Sequence, residues 1–309
     1  MEKKDIFLCP SGQRRIEIIK KLDKEGSFLE RFRLGRSLLG EDIDCFRFGS
    51  GEKRILYVGA HHGSEHITAS LLYYFLFEIS RGSSKIYGID TELYRKSYYL
   101  YVIPLLNPDG VELSLCGAYE NPLSARQARM CENGDFLHWQ ANARGVDLNH
   151  NYSYGFSEYK KIETEREIRP GRSLYSGEYP ESEPETRALC NLFRSLEFSA
   201  VLSLHSQGEE IYCFPNEFST RDNKDNKGRK ISSAALRVAK ELSADLGYKI
   251  STPTDTACYG GLCDFSGNEL GIPSLTLEVG RGENPINESE YFRIRERLSR
   301  ALFMIPTTL

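Results

Sequence analysis

The chain lacks a long apolar run, and this absence excludes membrane-spanning proteins from the expected classes. None of its hydrophobic stretches reaches the ~20 residues that a helix needs to cross a bilayer. The segment Met1–Phe7 is too charged, and its apolar part too short, for a secretory signal. We therefore expect a cytoplasmic protein with no membrane partner.

An excess of basic charge is also missing. The 40 lysines and arginines stand against 44 aspartates and glutamates, which gives a formal net charge of −4. Proteins that bind nucleic acid or anionic lipid usually carry a basic patch. We expect no nucleic-acid partner, and a ligand that is small or peptidic.

Paired cysteine spacing is a third absence. The eight cysteines contain no CxxC pair, which argues against a zinc ribbon and against a dense disulfide framework. Buried thiols are the simplest interpretation, and one disulfide remains open. Internal repeats and low-complexity tracts are absent too, so a repeat architecture is not expected.

Apolar runs do alternate with helical patterns along the chain. Buried strands are predicted at Ile55–Val58, Tyr98–Ile103, Ala200–His205 and Ser274–Val279. A largely buried helix is predicted to follow the first strand and to end at Ile79. Strands that alternate with helices are typical of an α/β sheet.

Other local patterns predict the connections. We expect a turn at Asn107–Gly110 and a surface loop over residues 157–183. A helix capped by Ser182 should run to Phe198. Two further helices are predicted, over Arg229–Leu246 and Asn287–Met304.

The stretch Gly59–His66 places imidazole and carboxylate groups directly after the first strand. His62 and Glu65 are the residue types that Zn²⁺ accepts in a catalytic site with one position open for water. Further polar residues follow the later strands: Asp109, His205 and Glu278. Ligands of open α/β sheets bind beyond the carboxyl ends of the strands, so we expect these side chains to share one site.

These residues resemble the motifs of the zinc carboxypeptidase family, the funnelin metallopeptidases. The matching segments, which span about residues 30 to 305, are His62–Glu65, Gly145–Asn149, His205–Ser206 and Thr276–Glu278. The resemblance implies a single α/β domain with a central mixed, mostly parallel twisted sheet flanked by helices on both faces. We assign residues 31–309 to this catalytic domain and residues 1–30 to an N-terminal lead-in.

The resemblance also implies roles in catalysis. His62, Glu65 and His205 would hold one zinc ion, and Glu278 would be the general base. Arg144, by similarity of position, would stabilise negative charge on the substrate carbonyl oxygen.

Two neighbouring residues are implied to contact substrate. Asn149 would bind a substrate carboxylate or carbonyl. His150 stands where the digestive carboxypeptidases carry an arginine for the C-terminal carboxylate, and an imidazole cannot replace that guanidinium fork. This departure argues against a general carboxypeptidase.

The substrate pocket is implied to involve a second segment. The tyrosine that the digestive enzymes place over the substrate aligns with Thr256, so Thr256 and Tyr259 are both candidates for this position. Cys263 falls where the family lines its side-chain pocket, and Asp264 lies beside it. An acidic lining would suit the ammonium of a diamino acid, although a structural role for Asp264 is equally open.

Further details look most like the bacterial branch that cleaves γ-D-glutamyl-diaminopimelate bonds: Tyr175–Gly177, Ser182–Thr186, Tyr259–Gly261 and Glu278–Pro285. The implied function is a zinc-dependent peptidase that acts on murein-derived peptides. A broad metallocarboxypeptidase and an inactive, peptide-binding family member remain alternatives. The second has no need of a base such as Glu278.

Another pattern overlaps the first motif. His62–His66 also fits HxxEH, in which both histidines bind the metal and Glu65 is the base. That arrangement needs the whole stretch within a helix, and it leaves His205 without a role. Gly63, next to a predicted strand, argues against it. We therefore expect His61 and His66 either to support the ligands from behind or to be ordinary residues, and His138 receives no role.

Overall fold

A mixed β-sheet organises the molecule. A computed structural model describes residues 5–117, 120–131, 134–214, 226–251 and 259–309. Its strands are β1 (Leu29–Arg36), β2 (Asp42–Gly49), β3 (Lys53–Val58), β4 (Lys85–Ile86), β5 (Ile89–Asp90), β6 (Tyr98–Ile103), β7 (Ala200–His205), β8 (Glu210–Phe214), β9 (Lys249–Ser251) and β10 (Ser274–Glu278). Its helices are α1 (Gly12–Glu25), α2 (His66–Ile79), α3 (Thr91–Ser97), α4 (Pro108–Cys116), α5 (Ser124–Met130), α6 (Phe156–Glu165), α7 (Pro184–Ser195), α8 (Asn226–Leu246), α9 (Leu262–Asp264) and α10 (Glu288–Thr308).

Eight of the described strands form one sheet in the order β1-β2-β6-β3-β7-β10-β8-β9, and β4 pairs with β5 separately. The inner strands β6, β3, β7 and β10 run parallel to one another. The pairs β1–β2, β2–β6 and β8–β10 are antiparallel. The expected α/β class with a mixed, mostly parallel sheet is therefore confirmed.

Helices cover both faces of the sheet. In β3, Ile55 and Tyr57 join a core with side chains from α1, α2, α8 and α10, whereas Leu56 and Val58 join a second core with α7 and α9. Parallel strands buried on both faces read as continuous apolar runs, which is why this strand was visible in the sequence. No helix among these residues has the length and apolar character to span a bilayer.

The predicted turn at Asn107–Gly110 is instead the start of a helix. α4 begins at Pro108, and the Asn107 side chain accepts a hydrogen bond from the Gly110 backbone N–H. Asparagine followed by proline occurs both in turns and at helix N-termini, so the local sequence does not separate the two. The surface loop predicted over residues 157–183 was also wrong in part, because α6 occupies Phe156–Glu165.

The helix predicted after Ser182 exists, but its cap differs. α7 begins at Pro184, and its N-cap residue is Glu183, whose side chain makes no capping hydrogen bond. The Ser182 hydroxyl donates to the Glu183 carboxylate at 2.8 Å. No disulfide joins the cysteines within the described ranges, and Cys258 lies outside them.

Candidate metal centre

The carboxyl ends of three parallel strands bring the candidate ligands together. His205 ends β7, Glu278 ends β10, and the two residues are register partners. His62 follows β3 in extended backbone, and Glu65 closes a single 3₁₀ turn before α2. Residues that are far apart in sequence therefore meet at one edge of the sheet.

Three of these side chains converge. Glu65 Oε1 lies 2.8 Å from His62 Nδ1, and Glu65 Oε2 lies 3.0 Å from His205 Nδ1. One ligand atom from each residue falls within 4.8 Å of the others. Two imidazole nitrogens and a carboxylate are donors that zinc accepts with a fourth position left for water, so these residues fit a catalytic zinc ion.

Close backbone packing fixes the ligand loop. The Gly63 N–H donates to the Gln140 carbonyl, and the Ser64 N–H donates to the Trp139 carbonyl. A Cβ at residue 63 would lie 2.2 Å from the Gly110 carbonyl oxygen. Only glycine allows this approach, which explains its place between the two candidate ligands.

Asp147 supports the site, and the sequence reasoning missed it. Its Oδ1 lies 3.1 Å from His62 Nε2, on the side of the ring away from Glu65. The backbone N–H groups of Asn149 and Leu174 donate to the same carboxylate. A carboxylate behind a metal-binding histidine fixes the orientation and tautomer of the histidine ring. The sequence clue to this role was the presence of an acidic residue within the Gly145–Asn149 motif.

Electrostatics couple these groups. Burial disfavours the protonated form of His62, but the charges of Glu65 and Asp147 outweigh it and raise its pKa well above the ordinary value. Burial likewise disfavours ionised Glu65, and the imidazoles of His62 and His205 outweigh it and lower its pKa. Protonation of His62 and ionisation of Glu65 thus favour each other, and a metal ion binds His62 only through a ring nitrogen that has lost its proton.

Glu278 stands apart from this hydrogen-bonded group. Its carboxylate makes no hydrogen bond within the described residues. Burial first, and then the negative charge of Glu65, raises its pKa. An uncommitted carboxylate with a raised pKa, beside His205, can take up and release a proton.

Arg144 is anchored through one side of its guanidinium. Its Nε and Nη2 donate to Glu183 Oε2 at 3.2 and 3.0 Å. Its backbone N–H donates to the Asn142 side chain. The Arg144 side chain remains 37% exposed, whereas that of Glu183 is 2% exposed. A half-exposed cation is thus held on a buried anion.

Asn149 and His150 lie on a 3₁₀ turn, Leu148–His150. Asn149 Oδ1 accepts from the Leu262 backbone N–H at 3.1 Å. His150 stacks on Tyr159 with ring centroids 4.0 Å apart and an interplanar angle of 10°. Its Nδ1 donates to the Tyr259 carbonyl at 2.8 Å, which leaves Nε2 as the ring nitrogen available to a ligand.

Tyr259 packs beside this turn. Its Cδ1 would lie 2.4 Å from a Cβ at Gly155, so its ring rests on the glycine backbone. Thr256, the other candidate for the position over the substrate, lies outside the described residues. The role of Tyr259 in substrate binding stays a prediction.

Cys263 and Asp264 are both buried on α9. The Cys263 thiol donates to the Leu275 carbonyl at 3.2 Å, and burial raises its pKa to about 12. Asp264 Oδ1 accepts from Asn268 Nδ2 at 2.7 Å, and burial raises the Asp264 pKa to about 8. Asp264 Oδ2 is buried without a hydrogen-bond partner in the described part of the chain.

Asp109, which the sequence placed beside the site, is engaged elsewhere. The Asp109 carboxylate accepts from the Ser37 hydroxyl at 2.7 Å and from the Leu39 backbone N–H at 2.9 Å, so it holds a loop and is not in the ligand group.

α2 begins only at His66, and His62 is extended. The HxxEH arrangement, which needs one helix across both histidines, is therefore absent.

This fold and donor set define a zinc-dependent hydrolase. Residues 16–301 match the family described as zinc carboxypeptidase. The chain therefore belongs to this family of zinc metallocarboxypeptidase-type hydrolases.

Relatives and solved structures agree with that assignment. The chain is 30% identical over 282 residues to gamma-D-glutamyl-L-diamino acid endopeptidase 1 of Lysinibacillus sphaericus, an alignment that covers 88% of this chain but 66%, just under two thirds, of that protein. The structure of thrombin activatable fibrinolysis inhibitor has a TM-score of 0.72 at 19% identity and covers 99% of this chain and 78% of its own. Murein-tripeptide amidase MpaA from Escherichia coli O157 has a TM-score of 0.52 at 21% identity, with 89% and 91% covered. At these identities the structural likeness shows a shared fold.

Proposed function

We propose that this peptidase hydrolyses an amide bond of cell-wall-derived peptides, between γ-D-glutamate and diaminopimelate or another diamino acid. The observation that carries the proposal is the 30% identity over 282 residues to an enzyme named for this class of bond. Because the alignment covers only part of that enzyme, its activity comes to this chain as a proposal.

The contacts of His150 support a substrate of this kind. Its Nδ1–H is committed to the Tyr259 carbonyl, and its ring is fixed on Tyr159. A neutral imidazole held this way offers an acceptor and cannot grip a terminal carboxylate through two parallel N–H bonds, as an arginine does. His150 is thus better suited to a substrate N–H than to a free C-terminal carboxylate.

We assign the zinc ligands as His62 Nδ1, the Glu65 carboxylate and His205 Nδ1. When bound, zinc supplies a Lewis acid that polarises the scissile carbonyl and activates water near neutral pH. Glu278 accepts the proton of the attacking water and delivers it to the leaving nitrogen. A raised pKa suits this carboxylate to both halves of the transfer, because it must bind the proton and release it.

Arg144 and Asn149 act on the substrate carbonyl side. The exposed part of the Arg144 guanidinium faces developing negative charge on the carbonyl oxygen, and its ion pair with Glu183 fixes it before the reaction. Asn149 has its Oδ1 committed to the Leu262 backbone N–H, which leaves its amide N–H groups for a substrate carbonyl or carboxylate.

Asp264 is our candidate for recognition of the diamino acid, because it lies beside Cys263 in the segment that the family resemblance assigns to the side-chain pocket. One of its oxygens is buried without a donor in the described residues. An ammonium would satisfy that oxygen and would offset the burial that raises the Asp264 pKa.

Two tripeptides that differ only in one linkage test the proposal: L-Ala-γ-D-Glu-diaminopimelate and its α-linked counterpart. With the zinc-loaded protein we expect release of diaminopimelate from the γ-linked peptide, detected by mass spectrometry, and no release with Glu278→Gln. Cleavage of α-linked or ordinary C-terminal peptides alone would indicate a broad metallocarboxypeptidase and would overturn the substrate assignment. Binding of either peptide without turnover by the zinc-loaded protein would indicate an inactive family member.

On the sequence-based expectation we also propose a cytoplasmic site of action, on wall peptides that the cell recycles. Immunodetection after cell fractionation tests this, and recovery of the protein mainly outside the cytoplasm would contradict it.

A further inference from the structure

A buried polar cluster lies directly behind the proposed zinc ligand His205. It consists of His61, Tyr152 and Ser203, all of them at most 1% exposed. His61 Nε2 lies 3.0 Å from the Tyr152 hydroxyl, and His61 Nδ1 lies 3.5 Å from the Ser203 hydroxyl. We refer to these three residues as the His61 cluster.

Within the described residues, no hydrogen bond fixes the His205 ring from behind. Its Nδ1 faces Glu65, but its Nε2 is buried and has no partner in the ranges that the structure describes. A metal-binding histidine usually donates its second ring N–H to a carboxylate or carbonyl, and that bond sets the ring orientation. Asp147 holds His62 in this way, whereas His205 must be held by packing.

His61 provides that packing. Its ring stacks on the His205 ring with centroids 5.4 Å apart and an interplanar angle of 26°. The His61 carbonyl accepts from Asn107 Nδ2 at 2.9 Å, which fixes its backbone. Tyr152, which fixes its ring, stacks in turn on Phe265 with centroids 5.7 Å apart. The His61 ring, on which the His205 ring stacks, is therefore held in place by several contacts.

We propose that His61 is a positioning residue, which holds the His205 imidazole in the orientation needed for metal binding and is itself oriented by Tyr152 and Ser203. The proposal rests on His205 as a zinc ligand and is independent of the substrate. It makes zinc affinity depend on the Tyr152 hydroxyl, which is hydrogen-bonded to His61 and is not one of the proposed ligands.

The test compares zinc affinity in matched tyrosine variants. Tyr152→Phe removes one buried hydroxyl of the His61 cluster, and the control Tyr94→Phe removes an equally buried hydroxyl that donates to the Phe303 carbonyl at 2.9 Å. In competition with a chromophoric chelator, we expect the zinc dissociation constant to rise about fivefold in Tyr152→Phe, the effect of one hydrogen bond. We expect a rise of about tenfold or more in His61→Phe, as for other residues that orient metal ligands. Tyr94→Phe should match the wild type.

The visible absorption of the cobalt-substituted protein is the second measurement, because its bands report ligand geometry. We expect shifted bands in His61→Phe and Tyr152→Phe and unchanged bands in Tyr94→Phe. Should His61→Phe fail to fold, Tyr152→Phe decides by itself. Wild-type zinc affinity, to within about twofold, together with a wild-type cobalt spectrum in Tyr152→Phe would overturn the proposal. If these effects are observed but the wild-type protein does not cleave γ-D-glutamyl peptides, the substrate assignment is wrong and the role of His61 is unaffected.

Discussion

Glu185 should make the stability of the protein fall as the pH rises through neutrality. Its carboxylate is fully buried, with Oε1 accepting from the Leu38 backbone N–H at 2.9 Å and Oε2 lying 3.4 Å from Asn142 Nδ2. Burial, and then the neighbouring Asp109, raises the Glu185 pKa from an ordinary value of 4.5 to about 8. The folded protein therefore holds a proton that the unfolded chain loses at lower pH.

The sign follows from proton counting. The pKa is raised on folding, so the stabilisation is complete below the unfolded pKa and is lost as the pH rises toward the folded pKa. The unfolding free energy then falls by up to about 1.4 kcal/mol per pH unit between the two values. From pH 6 to pH 8 this one group lowers the unfolding free energy by about 2 kcal/mol.

Glu185→Gln removes this proton and keeps an oxygen for the Leu38 N–H. The unfolding free energy of the zinc-loaded protein is measured in urea at pH 6, 7 and 8, with the zinc concentration held constant. Between pH 6 and 8 it should fall by about 2 kcal/mol less in the variant than in the wild type. Glu165→Gln, which removes an exposed carboxylate, is the control and should show the same pH dependence of stability as the wild type. Equal losses of stability between pH 6 and 8 in the wild type and in Glu185→Gln would show that Glu185 does not release a proton in this range.

Four further substitutions test the assigned roles. Asp147→Asn should weaken zinc binding about 10- to 100-fold in chelator competition, and an unchanged affinity would contradict its role behind His62. Glu278→Gln should lower kcat about 100-fold or more with zinc content retained, and wild-type turnover would exclude it as the base. Glu183→Gln should lower kcat/KM about tenfold because the Arg144 guanidinium loses a charge-assisted partner; wild-type steady-state kinetics would argue against this anchoring. Asp264→Asn should raise KM about tenfold for a diaminopimelate substrate and leave its alanine analogue unaffected; equal changes for both would indicate a structural role.

The convergence of the three candidate ligands was predictable because strand ends are visible in sequence. Each candidate follows an apolar run that is buried on both faces, and the parallel sheet makes those ends adjacent. The pairing of Glu278 with His205 in neighbouring strands follows from that arrangement. Asp109 follows a strand in the same way, yet its carboxylate holds the Ser37–Leu39 loop. Position at a strand end thus indicates nearness to the site, and the direction of the side chain depends on tertiary contacts.

The supporting residues were not predictable, because their partners lie far away in sequence. Asp147 meets His62 across 85 residues, and Ser203 meets His61 across 142. No local sequence pattern identifies either pair, because aspartate and serine side chains also commonly form turns or hydrogen-bond to nearby backbone groups. The helix start at Pro108 was missed for a different reason, because turns and helix N-termini share their residues.

Anomalous diffraction at the zinc absorption edge would locate the metal among the proposed ligands. Crystals of the zinc-loaded protein should show one strong anomalous peak, about 2.0–2.2 Å from His62 Nδ1, the Glu65 carboxylate and His205 Nδ1. A peak coordinated by His66 in place of His205, or no peak among these three side chains, would contradict the account.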